Sequence, residues 1–282
     1  MSLNSVNTNI GAMVALQTLN RTNEALAASQ KRVSTGFRVA DAKDDGAVFA
    51  IAQAVRADVA ALTSVNEQLG GTKGLLETTM SSLRNISDTM RKMKEVLIKL
   101  ADGNVTGETR TQYQKQFDEL RDNIKGFIDD AGYNGKSLLK GTGGFTNQFV
   151  ATLKIIRNQL GTMYTITGYN ASQNIYATIG AAPTTRTAAC NALTAGSNFS
   201  KAFNRVGDQL NLFSSAFRYV DNQIRFNKDK IDAIEAGLGA LIDADLAKES
   251  ARLQALQIRQ QLGTQALGIA NQAPQILLGL FR

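Results

Sequence analysis

Few side chains in this sequence could carry out catalysis or hold a metal ion. Histidine, the commonest general base and a frequent metal ligand, is absent. Cys190 is the only cysteine, so no intramolecular disulfide can form. The sequence has no Gly-x-Ser-x-Gly motif, no glycine-rich loop that could cradle phosphate and no paired carboxylates. We therefore expect that the protein is not an enzyme and that it uses no cofactor.

The positive net charge of +7 comes from one stretch of the chain. No carboxylate occurs between Asp130 and Asp208. That stretch holds seven bases, Lys136, Lys140, Lys154, Arg157, Arg186, Lys201 and Arg205. They are spread along the chain, whereas a protein that binds a nucleic-acid groove clusters its bases. We expect no nucleic-acid partner, and a basic coiled coil that binds nucleic acid is kept as an alternative.

The elements that position these residues are predicted to be long helices. Apolar residues recur every seven positions from Val48 and again from Phe203, which is typical of helices that pack along their length. The predicted core residues are Val48, Val55, Leu62, Leu69, Leu76, Leu83, Met90, Leu97, Phe203, Leu210, Phe217 and Ile224. A further helix is predicted from about residue 107 to Ala131.

Three features interrupt these apolar rows. Gly70, Gly71 and Gly74 predict a bend or short break, because each glycine weakens a helix by about 1 kcal/mol relative to alanine. From Phe203 the apolar residues form two rows at heptad spacing, and the companion row holds Val206, Phe213, Val220, Ile234 and Leu241. Asn227 is the only polar residue in either row, and a buried asparagine at such a position often fixes the register of packed helices. After Leu241 the apolar positions shift by one residue, which predicts a junction between two packing environments.

Residues 141–200 differ in composition from the helical stretches. They are rich in Thr, Gly, Asn and β-branched residues, which predicts short strands and loops. Within them, residues 181–198 are predicted to be exposed and weakly structured. The predicted fold class is therefore mainly α, with long antiparallel helices, coiled-coil ends and a small β/loop region in the middle.

Both ends of the chain carry apolar residues without an obvious local partner. Helices draw most of their stability from packing, so we expect the ends to pair with each other and with neighbouring copies. The residues expected to pack in this way are Leu16, Leu19, Leu26, Val33, Leu253, Leu262, Ile269, Ile276, Leu277, Leu280 and Phe281. No run of about 20 apolar residues is present, so no membrane insertion is expected.

Two stretches resemble the terminal signatures of bacterial flagellins. Residues 32–52, RVSTGFRVADAKDDGAVFAIA, are similar to the N-terminal signature, and NTNIGAMVALQTLN matches the Asn-rich start of the family. Residues 243–282 resemble the C-terminal signature almost position for position, including Ala-Asn-Gln, Pro-Gln and the final Leu-Phe-Arg. Residues 141–200 match only as the variable zone of the family.

The resemblance implies a structural subunit that polymerises into the flagellar filament for swimming motility. It implies an inner coiled-coil polymerisation domain from residues 1–40 and 243–282. A helical core domain is implied for residues 41–140 and 201–242, and a variable segment facing solvent for residues 141–200. A hook–filament junction protein, or another axial flagellar protein that shares the ends, is the alternative within this class.

The resemblance also implies partners and a location. The expected partners are further copies of the chain, the flagellar type III export apparatus, an export chaperone, the filament cap and the hook–filament junction proteins. The expected location is the extracellular filament. The first residues show neither a basic region nor a compact apolar region, so export without a cleaved signal peptide is expected.

Two surface features follow from the resemblance alone. Some flagellins are bound by a Toll-like receptor through a motif on the first long helix, and the corresponding residues here are Arg91, Lys92, Lys94 and Glu95. Lysines stand where arginines are expected, so weak receptor activation is predicted. Many flagellins carry acidic O-linked sugars, for which the candidate residues are Thr184, Thr185, Thr187, Thr194 and Ser197.

Overall fold

The computed structural model describes residues 8–141 and 148–280, with side chains described as far as residue 272. This part of the chain is mainly helical, with long packed helices and two small two-stranded sheets. The elements are α1 (Ile10–Thr35), α2 (Gly46–Ala101), α3 (Gly107–Asp129), β1 (Lys136–Ser137), β2 (Gln148–Phe149), β3 (Thr152–Ile156), β4 (Met163–Thr167), a π-helical turn (Ser172–Tyr176), α4 (Ala177–Ile179), α5 (Arg186–Leu193), α6 (Asn198–Ile242) and α7 (Leu246–Leu280).

Local hydrogen bonds determine where the first two helices begin and end. Asn9 caps α1, because its side-chain oxygen accepts the N–H three positions later at 3.0 Å. Gly36 adopts a left-handed φ of 75° and donates its N–H to the Arg32 carbonyl, which ends α1. Asp45 then caps α2 by accepting the N–H groups of the next helical turn at 3.1 Å.

Ion pairs order the loop between α1 and α2. The Lys31 ammonium lies 2.6 Å from the Asp41 carboxylate and 2.8 Å from the Asp44 carboxylate. Its hydrogen bond to Asp44 lowers the pKa of that carboxyl to about 2. The loop therefore holds its charge pairs at any pH at which the protein is expected to work.

A bend or short break is predicted at Gly70, Gly71 and Gly74. Helix α2 is continuous over 56 residues, so no break occurs there. The flanking heptad residues Leu69 and Leu76 are fully buried. Burying a leucine side chain contributes about 1.5–3 kcal/mol, which exceeds the cost of about 1 kcal/mol per helical glycine. Packing thus overrides local propensity in this helix.

The chain divides into two compact units. We call the residues up to Val59 and from Asp232 onward the terminal unit, and Ala60–Ile231 the central unit. The central unit contains a large apolar core, in which six of the predicted residues are fully buried: Leu62, Leu69, Leu76, Leu83, Met90 and Leu97. Val48 and Val55 lie in the terminal unit and are partly buried.

The two rows predicted for α6 are buried to different depths. Phe203 is 37% exposed, and the later members of its row, Leu210, Phe217 and Ile224, are only partly buried. The row that faces the core begins at Val206 and is buried at every seventh residue, namely Val206, Phe213, Val220 and Asn227. Both rows are apolar at heptad spacing, so the period predicts both and does not show which one is buried more deeply.

The middle of the chain contains more helix than predicted. Short strands occur as predicted: β3 and β4 form an antiparallel hairpin, and β1 pairs with β2 in parallel. However, residues 181–198 are not weakly structured, because they include α5 and the first residue of α6. The side-chain oxygen of Thr185 caps α5 by accepting the Ala188 N–H at 3.2 Å, and Arg186 donates to the Ala101 carbonyl at 3.1 Å.

A short break separates α6 from α7 within the terminal unit. Helix α6 ends at Ile242 and α7 begins at Leu246, where the apolar positions shift in the sequence. The Arg38 N–H donates to the Ile242 carbonyl at 2.6 Å, and the Ala244 N–H donates to the Gly36 carbonyl at 2.9 Å. The loop after α1 therefore fixes the point at which the chain turns into α7.

Candidate assembly surface

Helices α1 and α7 pair in antiparallel orientation. Three hydrogen bonds set their register: Asn9 Nδ2 to the Ala270 carbonyl at 2.7 Å, Gln260 Nε2 to Asn23 Oδ1 at 2.8 Å, and Ser29 Oγ to Glu249 Oε2 at 2.8 Å. As the residue number rises along α1, the number of its partner falls along α7. The two ends of the chain are therefore held side by side over most of α1.

Glu249 anchors the start of α7 to α1. Its carboxylate accepts hydrogen bonds from Ser29 Oγ at 2.8 Å and from Arg32 Nη1 at 3.2 Å. The hydrogen bond from Ser29 and the adjacent Arg32 guanidinium lower the pKa of Glu249 below its ordinary value. Because Ser29 is buried, its hydroxyl needs this acceptor.

One row of α7 lies against α1. The less exposed residues of α7 recur at alternating spacings of four and three: Glu249, Leu253, Leu256, Gln260, Gly263, Leu267 and Ala270. Leu256 is the one buried apolar side chain in this row. A Cβ on Gly263 would lie 3.2 Å from Leu19 Cδ1, so the helices approach closely at that point. The contact between the two ends is therefore narrow and consists largely of small and polar residues.

A second row of α7 points away from α1. It is apolar and exposed at every member: Ala251, Ala255, Ile258, Leu262, Ala266 and Ile269. The larger side chains are exposed by 57% at Ile258, 58% at Leu262 and 70% at Ile269. A monomeric protein rarely exposes a continuous apolar surface of this kind, which marks contact sites.

The first helix also exposes apolar side chains. Ile10, Met13 and Val14 are exposed and line a groove together with Gln17. Leu16 is exposed as well. We use the term assembly surface for these residues of α1 together with the exposed row of α7.

The structure separates the end residues predicted from sequence into two groups. Leu19, Leu26, Val33 and Leu253 are partly buried, whereas Leu16, Leu262 and Ile269 are exposed. Ile276, Leu277 and Leu280 lie in the last part of α7, where only the backbone is described, and Phe281 lies outside the described residues. Sequence reasoning missed Leu256, although its spacing from Leu253 and Gln260 was a usable signal.

The described residues contain no group of three or more His, Cys, Asp or Glu side chains that could hold a metal ion. Helix α2 contains an 18-residue window with a mean hydropathy of 1.4, of which 17% is buried. By length and composition this window could cross a membrane, which differs from the sequence expectation. The core helix of a soluble protein passes the same test, so the window alone assigns no membrane role.

Comparison with known proteins identifies the family. The N-terminal helical region of bacterial flagellin matches residues 6–143, and its C-terminal helical region matches residues 197–281. Flagellin FljK of Caulobacter vibrioides is 37% identical over 283 residues, with all of both chains covered. The chain belongs to the bacterial flagellin family. Flagellins are structural proteins without enzymatic activity, and this flagellin is a subunit of the extracellular filament of the bacterial flagellum.

Two further relatives of the flagellin are covered over almost their whole length. Flagellin FljM of Caulobacter vibrioides is 35% identical with all of both chains covered, and a flagellin of Brucella melitensis is 31% identical with 99% of each covered. The crystal structure of Bacillus cereus flagellin matches with a TM-score of 0.50 at 18% identity, over 57% of this chain and 88% of that one. This structural match supports the fold alone.

The remaining candidate residues of the flagellin are all in the central unit. Thr185 caps α5, Thr194 Oγ1 donates to the Asn191 carbonyl at 2.7 Å, and Ser197 Oγ donates to the Ala192 carbonyl at 2.6 Å. Thr184 and Thr187 are exposed.

The candidate receptor region lies on the solvent-exposed side of α2. Lys92, Lys94 and Glu95 are exposed, and Arg91 is exposed and paired with Asp88 one turn earlier. Cys190 is exposed on α5.

Proposed function

We propose that the assembly surface is where this flagellin contacts neighbouring subunits during polymerisation. The observation that carries the proposal is the exposed apolar row of α7, which begins at Ala251 and includes Leu262 and Ile269. The α1–α7 pair leaves this row uncovered, and a filament offers copies of the same chain to cover it. Burial of apolar area at about 25 cal/mol per Å² supplies the driving force.

The test places a charge at two positions of the exposed row, one at a time. Leu262→Asp and Ile269→Asp should leave the monomer folded, because both side chains are exposed, but should abolish filament formation since a buried, unpaired charge is costly. Circular dichroism of the monomer and electron microscopy of the polymerised protein measure the two effects.

The matched control is Gln257→Asp, an exposed position of α7 that belongs to neither row. This variant should polymerise like the parent. Normal filaments from both Leu262→Asp and Ile269→Asp would show that the exposed row is not the contact surface.

The same proposal extends to the domain organisation. We infer that residues 1–40 and 243–282 form the inner polymerisation domain, residues 41–140 and 201–242 the helical core domain, and residues 141–200 the segment facing solvent. The antiparallel pairing of α1 with α7 supports the first assignment. A density map of the filament decides it, because the α1–α7 pair must then line the channel.

We infer the export and assembly partners from membership of the flagellin family. They are the flagellar type III export apparatus, an export chaperone, the filament cap and the hook–filament junction proteins. Export through that apparatus predicts that the protein accumulates inside cells that lack the flagellar export gate. Its appearance in the medium of such cells would contradict this route.

The receptor proposal concerns Arg91, Lys92, Lys94 and Glu95 on α2. Their exposure supports contact with a receptor, while the two lysines lack the planar, bidentate geometry of arginine. Weak activation of a Toll-like receptor reporter is expected, and Lys92→Arg combined with Lys94→Arg should strengthen it. An unchanged response of the double variant would contradict the proposal.

The glycan proposal favours two of the five candidate residues. Thr184 and Thr187 are exposed, and no described hydrogen bond engages their hydroxyl groups. Thr185, Thr194 and Ser197 use their hydroxyls in local hydrogen bonds. We infer that O-linked sugars, where present, attach first at Thr184 and Thr187, and peptide mass mapping of native filaments tests this order.

A further inference from the structure

Asn227 is a fully buried polar residue in a row that is otherwise apolar. Each hydrogen-bonding group of its carboxamide has a partner. Nδ2 donates to Asn66 Oδ1 at 3.0 Å and to the Arg157 carbonyl at 3.1 Å, and Oδ1 accepts from Gln223 Nε2 at 2.9 Å. A buried amide with all partners in place is stable, whereas an unmatched one is costly.

These bonds connect three elements of the central unit. Asn227 and Gln223 belong to α6, Asn66 belongs to α2, and Arg157 is the first residue of the turn between β3 and β4. The Nδ2 group therefore joins two helices to the backbone of a hairpin turn. An asparagine that only fixed the register of α2 against α6 would need the Asn66 bond but not the Arg157 bond.

Within the hairpin, the turn itself lacks apolar anchors. In the strands, Ile155 and Ile166 are buried in the core. In the turn, Leu160 is 82% exposed, and the contact with α6 is polar, through Lys230 Nζ to Gln159 Oε1 at 3.0 Å. The position of the turn thus depends on hydrogen bonds, which also include Arg157 Nη1 to Tyr219 Oη at 3.2 Å. Of these bonds, only the one to the Arg157 carbonyl comes from a fully buried side chain, that of Asn227.

We propose that Asn227 is the positioning residue of the β3–β4 turn, and that its side-chain amide sets this turn against α2 and α6 by holding the Arg157 carbonyl. Asn227 lies in a row whose other members are valine and phenylalanine. A leucine at position 227 would also pack in that row, so packing alone does not require an amide side chain. The proposal is independent of the assembly surface, because every residue in it lies in the central unit.

Trypsin provides a local probe, because it cleaves after Arg157, at the carbonyl that Asn227 holds. Asn227→Leu removes the three hydrogen bonds at similar volume, and Asn227→Ala removes them without adding volume. In both, cleavage after Arg157 should accelerate about fivefold or more relative to cleavage after Arg218 on α6. Hydrogen exchange of the turn amides, residues 158–162, should accelerate in parallel.

Two further variants separate positioning from general stabilisation. Asn66→Leu removes only the partner on α2, so cleavage after Arg157 should change much less. Asn222→Leu, at an exposed asparagine of the same helix, should leave the ratio unchanged.

Equal acceleration at Arg157 and Arg218 in the Asn227 variants would overturn the proposal, since it would show a loss of helix packing in general. An effect of Asn66→Leu as large as that of Asn227→Leu would also overturn it.

Discussion

At the scale of single residues, Glu249 links the pairing of the two chain ends to pH. Its carboxylate accepts from the buried Ser29 hydroxyl and from Arg32, and these partners lower its pKa from the ordinary 4.5. A carboxyl whose folded pKa is lowered stabilises the folded form above its unfolded pKa and loses that contribution as pH falls through the folded pKa. The α1–α7 pair is therefore expected to weaken progressively below about pH 4.5.

Glu249→Gln tests this expectation in assembled filaments. The variant keeps the shape of the side chain but loses its charge, so filaments at neutral pH should be less stable by about 1 kcal/mol per subunit. As the pH falls through the lowered pKa of Glu249, the difference between the variant and the parent should shrink, because the parent carboxyl then becomes protonated.

Light scattering against pH measures the dissociation of both proteins. Glu235→Gln, at an exposed position of α6, is the control and should follow the parent. A difference between Glu249→Gln and the parent that stays constant from pH 7 to pH 3 would contradict a role for ionisation.

At the scale of elements, the continuous helices were predictable and their packing faces only in part. Six of the predicted heptad residues, from Leu62 to Leu97, are fully buried. Helix α6 carries two apolar rows, of which one is buried more deeply, whereas the apolar row of α7 is exposed and its more polar row lies against α1. The period of the sequence identifies such helices, but the neighbouring elements decide which row is covered.

The ordered α5 shows a second limit of sequence reasoning. The composition of residues 181–198 predicts weak structure, yet distant residues hold the start of this stretch through hydrogen bonds. Gln114 Nε2 donates to the Pro183 carbonyl at 3.0 Å, and the Asp118 carboxylate accepts the Ala182 N–H at 3.2 Å. Bonds between residues so far apart along the chain leave no local periodic signal.

The glycines of α2 give a prediction at the same scale. A Cβ on Gly70 would meet nothing within 4 Å, whereas a Cβ on Gly74 would lie 2.9 Å from Tyr133 Cζ. Gly70→Ala should therefore raise stability by about 1 kcal/mol through helix propensity. Gly74→Ala should gain less or destabilise, because the Tyr133 ring must move.

Chemical denaturation of the monomer compares the two variants. Tyr133→Ala combined with Gly74→Ala should restore the gain relative to Tyr133→Ala alone. Equal gains from the two single glycine variants would show that the Tyr133 contact does not constrain α2.

At the scale of the whole molecule, the basic stretch between Asp130 and Asp208 adds positive charge to each subunit of the filament. Of its seven bases, three arginines have internal partners: Arg157 with Tyr219, Arg186 with the Ala101 carbonyl, and Arg205 with the Asn174 carbonyl. Lys136, Lys140, Lys154 and Lys201 are exposed. Neighbouring subunits repel through these lysines unless salt or added negative charge offsets them.

Acidic O-linked sugars would supply that negative charge, one for each sugar. Native filaments should then give an intact mass above the 30.3 kDa of the bare chain. Removing the sugars should raise the salt concentration needed for polymerisation. A mass equal to that of the bare chain would show that no sugars are attached and that salt alone screens the repulsion between subunits.

The end of α7 gives the last prediction. The described hydrogen bonds between α1 and α7 extend as far as Ala270, whereas α7 continues to Leu280. Deleting residues 276–282 therefore leaves those internal bonds intact and removes four of the predicted apolar contacts with neighbouring subunits: Ile276, Leu277, Leu280 and Phe281. The truncated protein should be a folded monomer that does not polymerise. Electron microscopy shows the loss, and deletion of Arg282 alone is the control that should form filaments. If the truncated protein assembles normally, the last part of α7 does not contribute to contacts between subunits.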